Sequence, residues 1–278
     1  MNEKKEKKDQ FVIAYLPDFT HEDTVLSHAA LIARMLDKGL ILLCNQDPKY
    51  GTGENPESHL KELQQRLSCG IQVSYIALAT DTRLLIEALP LKLNGVVAIA
   101  AADPKASRKS AYHPKEVLAN FANSKIAYLT AQEPFGKERY SDAALCIDFH
   151  RESKEKLIWS SYFARFGKAN LHVLYHDYKD DGLKQKWYNN MLFLNKFYAN
   201  LGIGFLPHII PKKSSSPDMD ALPFIAEHHY DLLVAITTKE KDIIDSILGA
   251  QETRIIKNPQ KIPVLFLNPR DDIYVLCD

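Results

Sequence analysis

Short apolar runs alternate with amphipathic stretches along the chain, and the alternation repeats. Phe11–Leu16 is a run of β-formers that breaks into Pro17-Asp18-Phe19-Thr20-His21-Glu22 and predicts a strand. Val25, Ala29, Ile32, Ala33 and Leu36 then recur at steps of three or four, which predicts a helix with one apolar face. Gly39 punctuates its end, and residues 40–44 form a second short apolar run. The succession returns later: residues 143–147 break into Asp148-Phe149-His150-Arg151-Glu152, then come Leu157, Trp159, Tyr162, Phe163 and Phe166 at helical steps, Gly167, and an apolar run over 171–175. Further on, Val96-Val97-Ala98-Ile99 matches Leu233-Val234-Ala235-Ile236, and Ile126-Ala127-Tyr128-Leu129 matches Val264-Leu265-Phe266-Leu267. The spacing between copies is about 130 residues at the Asp-Phe pairs and about 138 at the last strands, a drift confined to loops, as in a duplicated domain.

Residues 71–77 and 205–210 read as third strands, and 81–89 and 219–228 as the helices that follow them. Five strands alternating with about four helices, the strands apolar on both faces, predict an α/β fold of two tandem doubly wound, Rossmann-like domains, each with a five-stranded parallel sheet. The expected division is a charged tail over 1–10, a first domain over 11–138 and a second over 139–278. The duplication predicts two equivalent sheets rather than one continuous sheet. The terminal strands, 125–130 and 263–268, are expected at the shared boundary, because an exposed apolar edge invites uncontrolled pairing.

A length of 278 residues suits two cores better than one, and 46% hydrophobic with 25% charged residues excludes a disordered chain. Lys plus Arg at 35 balance Asp plus Glu at 35, leaving no net field to attract nucleic acid. Cys44, Cys69, Cys146 and Cys277 are scattered without metal-ligand spacing, so neither a disulfide frame nor a zinc site is expected. The first ten residues lack the apolar stretch of a signal peptide, and no run approaches a membrane span. A cytoplasmic location with reduced thiols and no membrane partner follows as the expectation.

The repeated strand, Asp-Phe, helix, strand pattern resembles the universal stress proteins over both halves. The resemblance implies the strand order 3-2-1-4-5, and it implies that the strand-end aspartates, Asp18 and Asp148 here, face an adenine-binding region. The nucleotide-binding branch of that family carries a loop after the fourth strand in which Gly, two residues, Gly, nine residues, Gly and Ser or Thr bring backbone N–H groups to the phosphates. Laid on the second half, the template falls on Ile236, Lys239, Gly249 and Ala250, so one position of four keeps its type. In the first half its two early glycines fall on Ile99 and Ala102. Side chains there crowd the phosphate path. The resemblance therefore implies the branch that does not bind ATP: no cofactor, at most weak adenine-nucleotide binding, and no catalytic residue. It also implies an intramolecular counterpart of the family's homodimer, with self-association or an unidentified protein as partner. Two rival readings are an adenine-nucleotide binder and a small-molecule enzyme of a related α/β family.

Other candidates read as structural. Gly51-Thr52-Gly53 lacks the third glycine of a dinucleotide fingerprint and reads as a loop tip. His228-His229 are adjacent and cannot share a metal as an i, i+4 pair would, and His21 and His28 lack a third ligand. Ser214-Ser215-Ser216-Pro217 reads as a mobile loop, Lys105, Arg108, Lys109, Lys239 and Lys241 as solvated charge, and Asp18 and Asp148 also as helix caps.

Overall fold

A computed structural model describes residues 9–50, 56–214, 216–237 and 250–269. In the first half, β1 (Phe11–Leu16), α1 (Glu22–Leu36), β2 (Gly39–Asn45), α2 (Glu57–Leu67), β3 (Val73–Leu78), α3 (Thr82–Lys92), β4 (Gly95–Ala101), α4 (Pro114–Phe121) and β5 (Ala127–Ala131) alternate as expected. The second half repeats them as β6 (Asp142–Cys146), a 3-10 turn (Arg151–Glu155) running into α5 (Lys156–Arg165), β7 (Asn170–Tyr175), α6 (Asp181–Asn200), β8 (Leu206–Ile209), α7 (Pro217–Glu227), β9 (Leu232–Ile236), α8 (Ala250–Ile256) and β10 (Val264–Leu267).

The strand order is β3-β2-β1-β4-β5-β10-β9-β6-β7-β8, so each half has the order 3-2-1-4-5. The two sheets are not separate. They join into one ten-stranded sheet through β5 and β10, which pair antiparallel with Leu129 opposite Leu265 and Tyr128 opposite Phe266, while every other pair is parallel. The physical reason is the one that places these strands at the boundary: every residue of both is buried, and pairing satisfies backbone groups that two separate edges would leave open.

Strand alternation divides the core in two. Val12, Ala14 and Leu16 face a cluster with α1, α2, α5 and α6, whereas Ile13 and Tyr15 face one with α3, α4, α7 and α8. The glycines at the ends of the first helices act through close packing. The left-handed turns there are taken by Asp37 (φ 52°) and Lys168 (φ 55°), and after α3 and α7 by Asn94 (φ 47°) and His229 (φ 56°). A Cβ on Gly39 would meet the Phe11 ring at 2.6 Å, and one on Gly167 would meet the Phe163 carbonyl at 2.7 Å.

The connection between β5 and β6 is tied back to α1 by a buried histidine. His28 Nε2 lies 3.2 Å from the Glu133 carbonyl, which can only accept, so Nε2 carries the proton and Nδ1 accepts from the Tyr140 hydroxyl. Burial lowers the His28 pKa to about 4, against a weaker pull upward from the Glu133 bond. His21 stands at the N-terminus of α1, its ring turned to Asp103 rather than to His28.

Two expectations follow. Phe266→Ala removes a fully buried ring stacked 5.5 Å from Tyr128 across the boundary, and urea unfolding should show a loss of about 3–5 kcal/mol. A histidine whose folded pKa is lowered is neutral in the native state, so its stabilisation is complete above the unfolded value near 6.5 and is lost as pH falls. Between pH 7 and pH 4 His28 should remove about 3 kcal/mol of stability, and a His28→Gln variant should show a correspondingly flatter loss in paired urea titrations.

Candidate functional site

Parallel sheets of this kind present ligand crevices at the carboxyl ends of the strands, beside the switch between β1 and β4 and between β6 and β9. Asp18 and Asp148 both stand two residues beyond the last residue of the first strand of their half. Neither caps a helix. Asp18 Oδ1 accepts from Thr20 N at 2.7 Å and Asp148 Oδ1 from His150 N at 2.9 Å, closing tight turns ahead of the helical segments.

In the first half the crevice is occupied by the protein itself. The segment after β4 folds back as Asp103 N bonds the Tyr112 carbonyl at 2.8 Å. Tyr112 is thereby set over the strand ends, and its hydroxyl proton is shared between Asp18 Oδ1 at 2.7 Å and the Asp18 carbonyl at 2.8 Å. The His21 ring packs edge-on against Tyr112, centroids 4.5 Å apart, and its Nε2 lies 3.7 Å from Asp103 Oδ2. Burial and the Asp18 carboxylate push the Tyr112 pKa well up, so the hydroxyl stays a donor. Tyr112, Tyr15 and Phe121 close round Ala100 and Ala101 below. Of the template positions, Ile99 is buried within β4 and Ala102 bonds the Ala131 carbonyl, while Lys105, Arg108 and Lys109 are exposed.

The second half buries a charge below its strand-end aspartate. Lys156, eight residues beyond Asp148 at the start of α5, is 2% exposed, whereas the residue eight beyond Asp18 is the buried Leu26. Its ammonium donates to the Cys146 carbonyl at 3.0 Å and to Asp218 Oδ1 and Oδ2 at 3.0 and 3.2 Å. Burial alone would lower the Lys156 pKa. The Asp218 carboxylate, with smaller help from Cys146 and Asp148, reverses that and holds it above the ordinary lysine value. Asp148 accepts from Ser153 Oγ and from His150 through N and Nδ1. Burial pushes its carboxyl up, and the His150 bond, the Lys156 charge and Ser153 together bring it below the usual value.

Deeper in the half, His176 Nε2 lies 3.2 Å from Asp220 Oδ2 but off the hydrogen-bond direction, so it has no hydrogen-bond partner among the described residues. Burial lowers its pKa against the pull of Asp220. Asp220 in turn accepts from Lys213 N and Ser214 N at 2.9 and 3.0 Å, and Ser216 caps α7 through Met219 N at 3.4 Å. The serine stretch is therefore pinned on both sides of Ser215, which lies outside the described residues, rather than a loose loop.

Of the template positions in this half, Ile236 ends β9 opposite Leu267, and the chain stays tethered one residue further by Thr237 N to the Leu267 carbonyl at 2.8 Å. Lys239, Lys241 and Gly249 lie outside the described residues, as do residues 51–55 with their two glycines, and Ala250 opens α8. Pattern reading passed over Lys156, Asp218, His176 and Asp220. The one signal available was a lysine at an apolar helical position, visible once Leu26 is set beside it.

A buried pair that loses one partner leaves an uncompensated charge. Asp218→Ala should cost about 3–5 kcal/mol, and the double change Lys156→Leu with Asp218→Ala, which restores the first half's leucine, should cost less than the single one. Urea unfolding of both variants checks this.

The sequence matches no protein-family model and no curated protein. Solved structures match over nearly the whole chain. A universal stress protein from Archaeoglobus fulgidus DSM 4304 superposes with a TM-score of 0.71 at 14% identity, covering 94% of this chain and 97% of that one. A candidate universal stress protein from Pseudomonas aeruginosa UCBPP-PA14 gives 0.70 at 17% identity, covering 97% and 96%. The cytoplasmic domain of a prokaryotic cation chloride cotransporter gives 0.59 at 12% identity, covering 93% and 95%. Along almost its full length, the chain has the fold of the universal stress proteins in their tandem, two-domain form.

Proposed function

We propose that the protein is a noncatalytic stress-response or regulatory protein of the universal stress type, acting in the cytoplasm through contacts with a protein partner or by sensing a small ligand. The observation that carries this reading is the filling of the first strand-end crevice by the chain's own side chain, Tyr112 bonded to Asp18, together with the buried Lys156–Asp218 pair beside Asp148 in the second half. A nucleotide entering the first crevice would have to displace the Tyr112–Asp18 bonds, and broken buried bonds of this kind are costly. The fold by itself does not select the activity, since one α/β scaffold serves many. Among the described residues no helix is long and apolar enough to cross a membrane.

Isothermal titration with ATP and magnesium tests the reading. The expected dissociation constant is no tighter than about 0.1 mM, because phosphate recognition needs close backbone approach and Ile236 stands at the first glycine position. Saturable low-micromolar binding that is lost in Asp18→Ala or Asp148→Ala would replace it with a nucleotide-binding function.

A further inference from the structure

The first helix of each half presents an equivalent outer face, covered in one half and open in the other. Counted back from the left-handed residues that follow them, Asp37 and Lys168, the two helices match. Arg34 and Arg165 stand three residues earlier, Leu31 and Tyr162 six, and the pair Ser27-His28 answers Ile158-Trp159. On α1 the connection between β5 and β6 lies across this face. Phe135 N donates to Ser27 Oγ at 2.9 Å, His28 Nε2 donates to the Glu133 carbonyl at 3.2 Å, and the Phe135 ring sits 5.3 Å from that of His28, which is fully buried. On α5 Ile158 is 38% exposed and Phe166 50%, with Trp159 and Tyr162 half-buried between them. The Trp159 and Tyr162 rings lie 5.4 Å apart and those of Tyr162 and Phe166 5.8 Å. A contiguous apolar face of this kind marks a contact surface.

The chain leaves the last strand of each half in the same way. After β5, Gln132 Nε2 donates to the Ile256 and Asn258 carbonyls at 2.6 and 2.8 Å, at the end of α8. After β10, Asn268 Nδ2 donates to the Phe121 and Ser124 carbonyls at 2.8 and 3.0 Å, at the end of α4. From Gln132 the chain turns over α1, and its Tyr140 hydroxyl reaches His28. From Asn268 it continues through Pro269 into residues 270–278, which lie outside the described residues. That segment carries the run Ile273-Tyr274-Val275-Leu276, with Leu276 as far beyond Asn268 as Tyr140 is beyond Gln132. Extended, it reaches about 30 Å, twice the length of about 15 Å that α5 spans.

We propose that the outer face of α5 is the docking site of the chain's own C-terminal segment, residues 270–278, with Ile273, Tyr274 and Leu276 laid on Ile158, Trp159 and Tyr162. The occupant is the counterpart of the strap that already covers α1, and it starts from a matched anchor. Tethering at Asn268 makes the contact intramolecular, so modest apolar burial is enough to close it. Neither branch of the function above uses this face, and the two stand or fall separately.

Trp159 and Trp187 are the two tryptophans of the chain, so in a Trp187→Phe background acrylamide quenching of fluorescence reads Trp159 alone. Ending the chain at Pro269 should raise the quenching constant at least about twofold. The full-length double variant Ile273→Asp/Leu276→Asp, which keeps the segment and removes its apolar run, should quench like the shortened chain, and Arg270→Gln like the full one. Thermal melts establish that each variant folds. Equal quenching in the full and shortened chains, or in the full chain and the double variant, would overturn the proposal. Protection of Trp159 that disappears on dilution from about 50 to about 1 µM would assign the face to a second copy of the chain and overturn it as well.

Discussion

The antiparallel pairing of β5 with β10 is the contact on which the rest of the architecture depends. Both strands are buried along their whole length, and either one left at a free edge would present unpaired backbone flanked by apolar side chains. Two copies of one domain related by a two-fold axis bring the same strand edge to edge in opposite directions, so pairing like with like must be antiparallel. The stacked rings of Phe121, Tyr128 and Phe266 continue that contact on one face of the sheet. Asn268 extends it past the strand end by donating to the Phe121 and Ser124 carbonyls at 2.8 and 3.0 Å. What is left outside is β3 at one end and β8 at the other. The latter has four residues and a proline, Pro207, which are features that discourage further pairing.

The same contact separates the two crevices. Because the halves run in opposite directions across the boundary, the carboxyl ends of β1 and β6 open on opposite edges of the joined sheet. The Asp18 and Asp148 clusters therefore share no residue, and each is free to change independently. They have done so by different chemistry. The first half closes with an aromatic residue whose hydroxyl is absorbed by Asp18, and the second buries beside Asp148 an ion pair whose third acceptor is a main-chain carbonyl. The helices between the second and third strands diverge as well, with 11 residues in α2 against 20 in α6, and the longer helix clamps the turn after β6 through Asn190.

Much of the fold was legible in the sequence because parallel strands buried on both faces write themselves as continuous apolar runs, and duplication wrote each run twice. Val96 to Ile99 and Leu233 to Ile236 could be aligned without knowing what either did. The limits were equally physical. α2 and α6 were not located, since helices with mostly exposed surfaces, burying only Leu60 and Leu63 or Asn190, Leu194 and Tyr198, carry too few apolar positions to mark a face. The joining of the two sheets was not legible either. Apolar strands at a boundary announce that they must be covered, but covering by a hydrogen-bonded ladder and covering by packing leave the same residues in the sequence.

The site was legible only in its negative aspect. Missing glycines at Ile99, Ala102 and Ile236 are visible to a template, but what takes the place of a ligand depends on groups brought together from far apart. Tyr112 and Asp18 are 94 positions apart, and Lys156 and Asp218 are 62. A lysine within an amphipathic stretch ordinarily reads as solvated, and only the tertiary structure turns Lys156 inward, where desolvation would be prohibitive without Asp218 and the Cys146 carbonyl. The pair is thus information that belongs to the fold rather than to any local segment. A buried ion pair adds little net stability over a well-packed leucine such as Leu26. Its presence in one half alone therefore has to be understood through what a fixed charge does for its surroundings. Lys156 helps hold Asp148 ionised, ionised Asp148 binds His150 and Ser153, and those bonds shape the turn that carries Phe149, Arg151 and Lys154 to the surface.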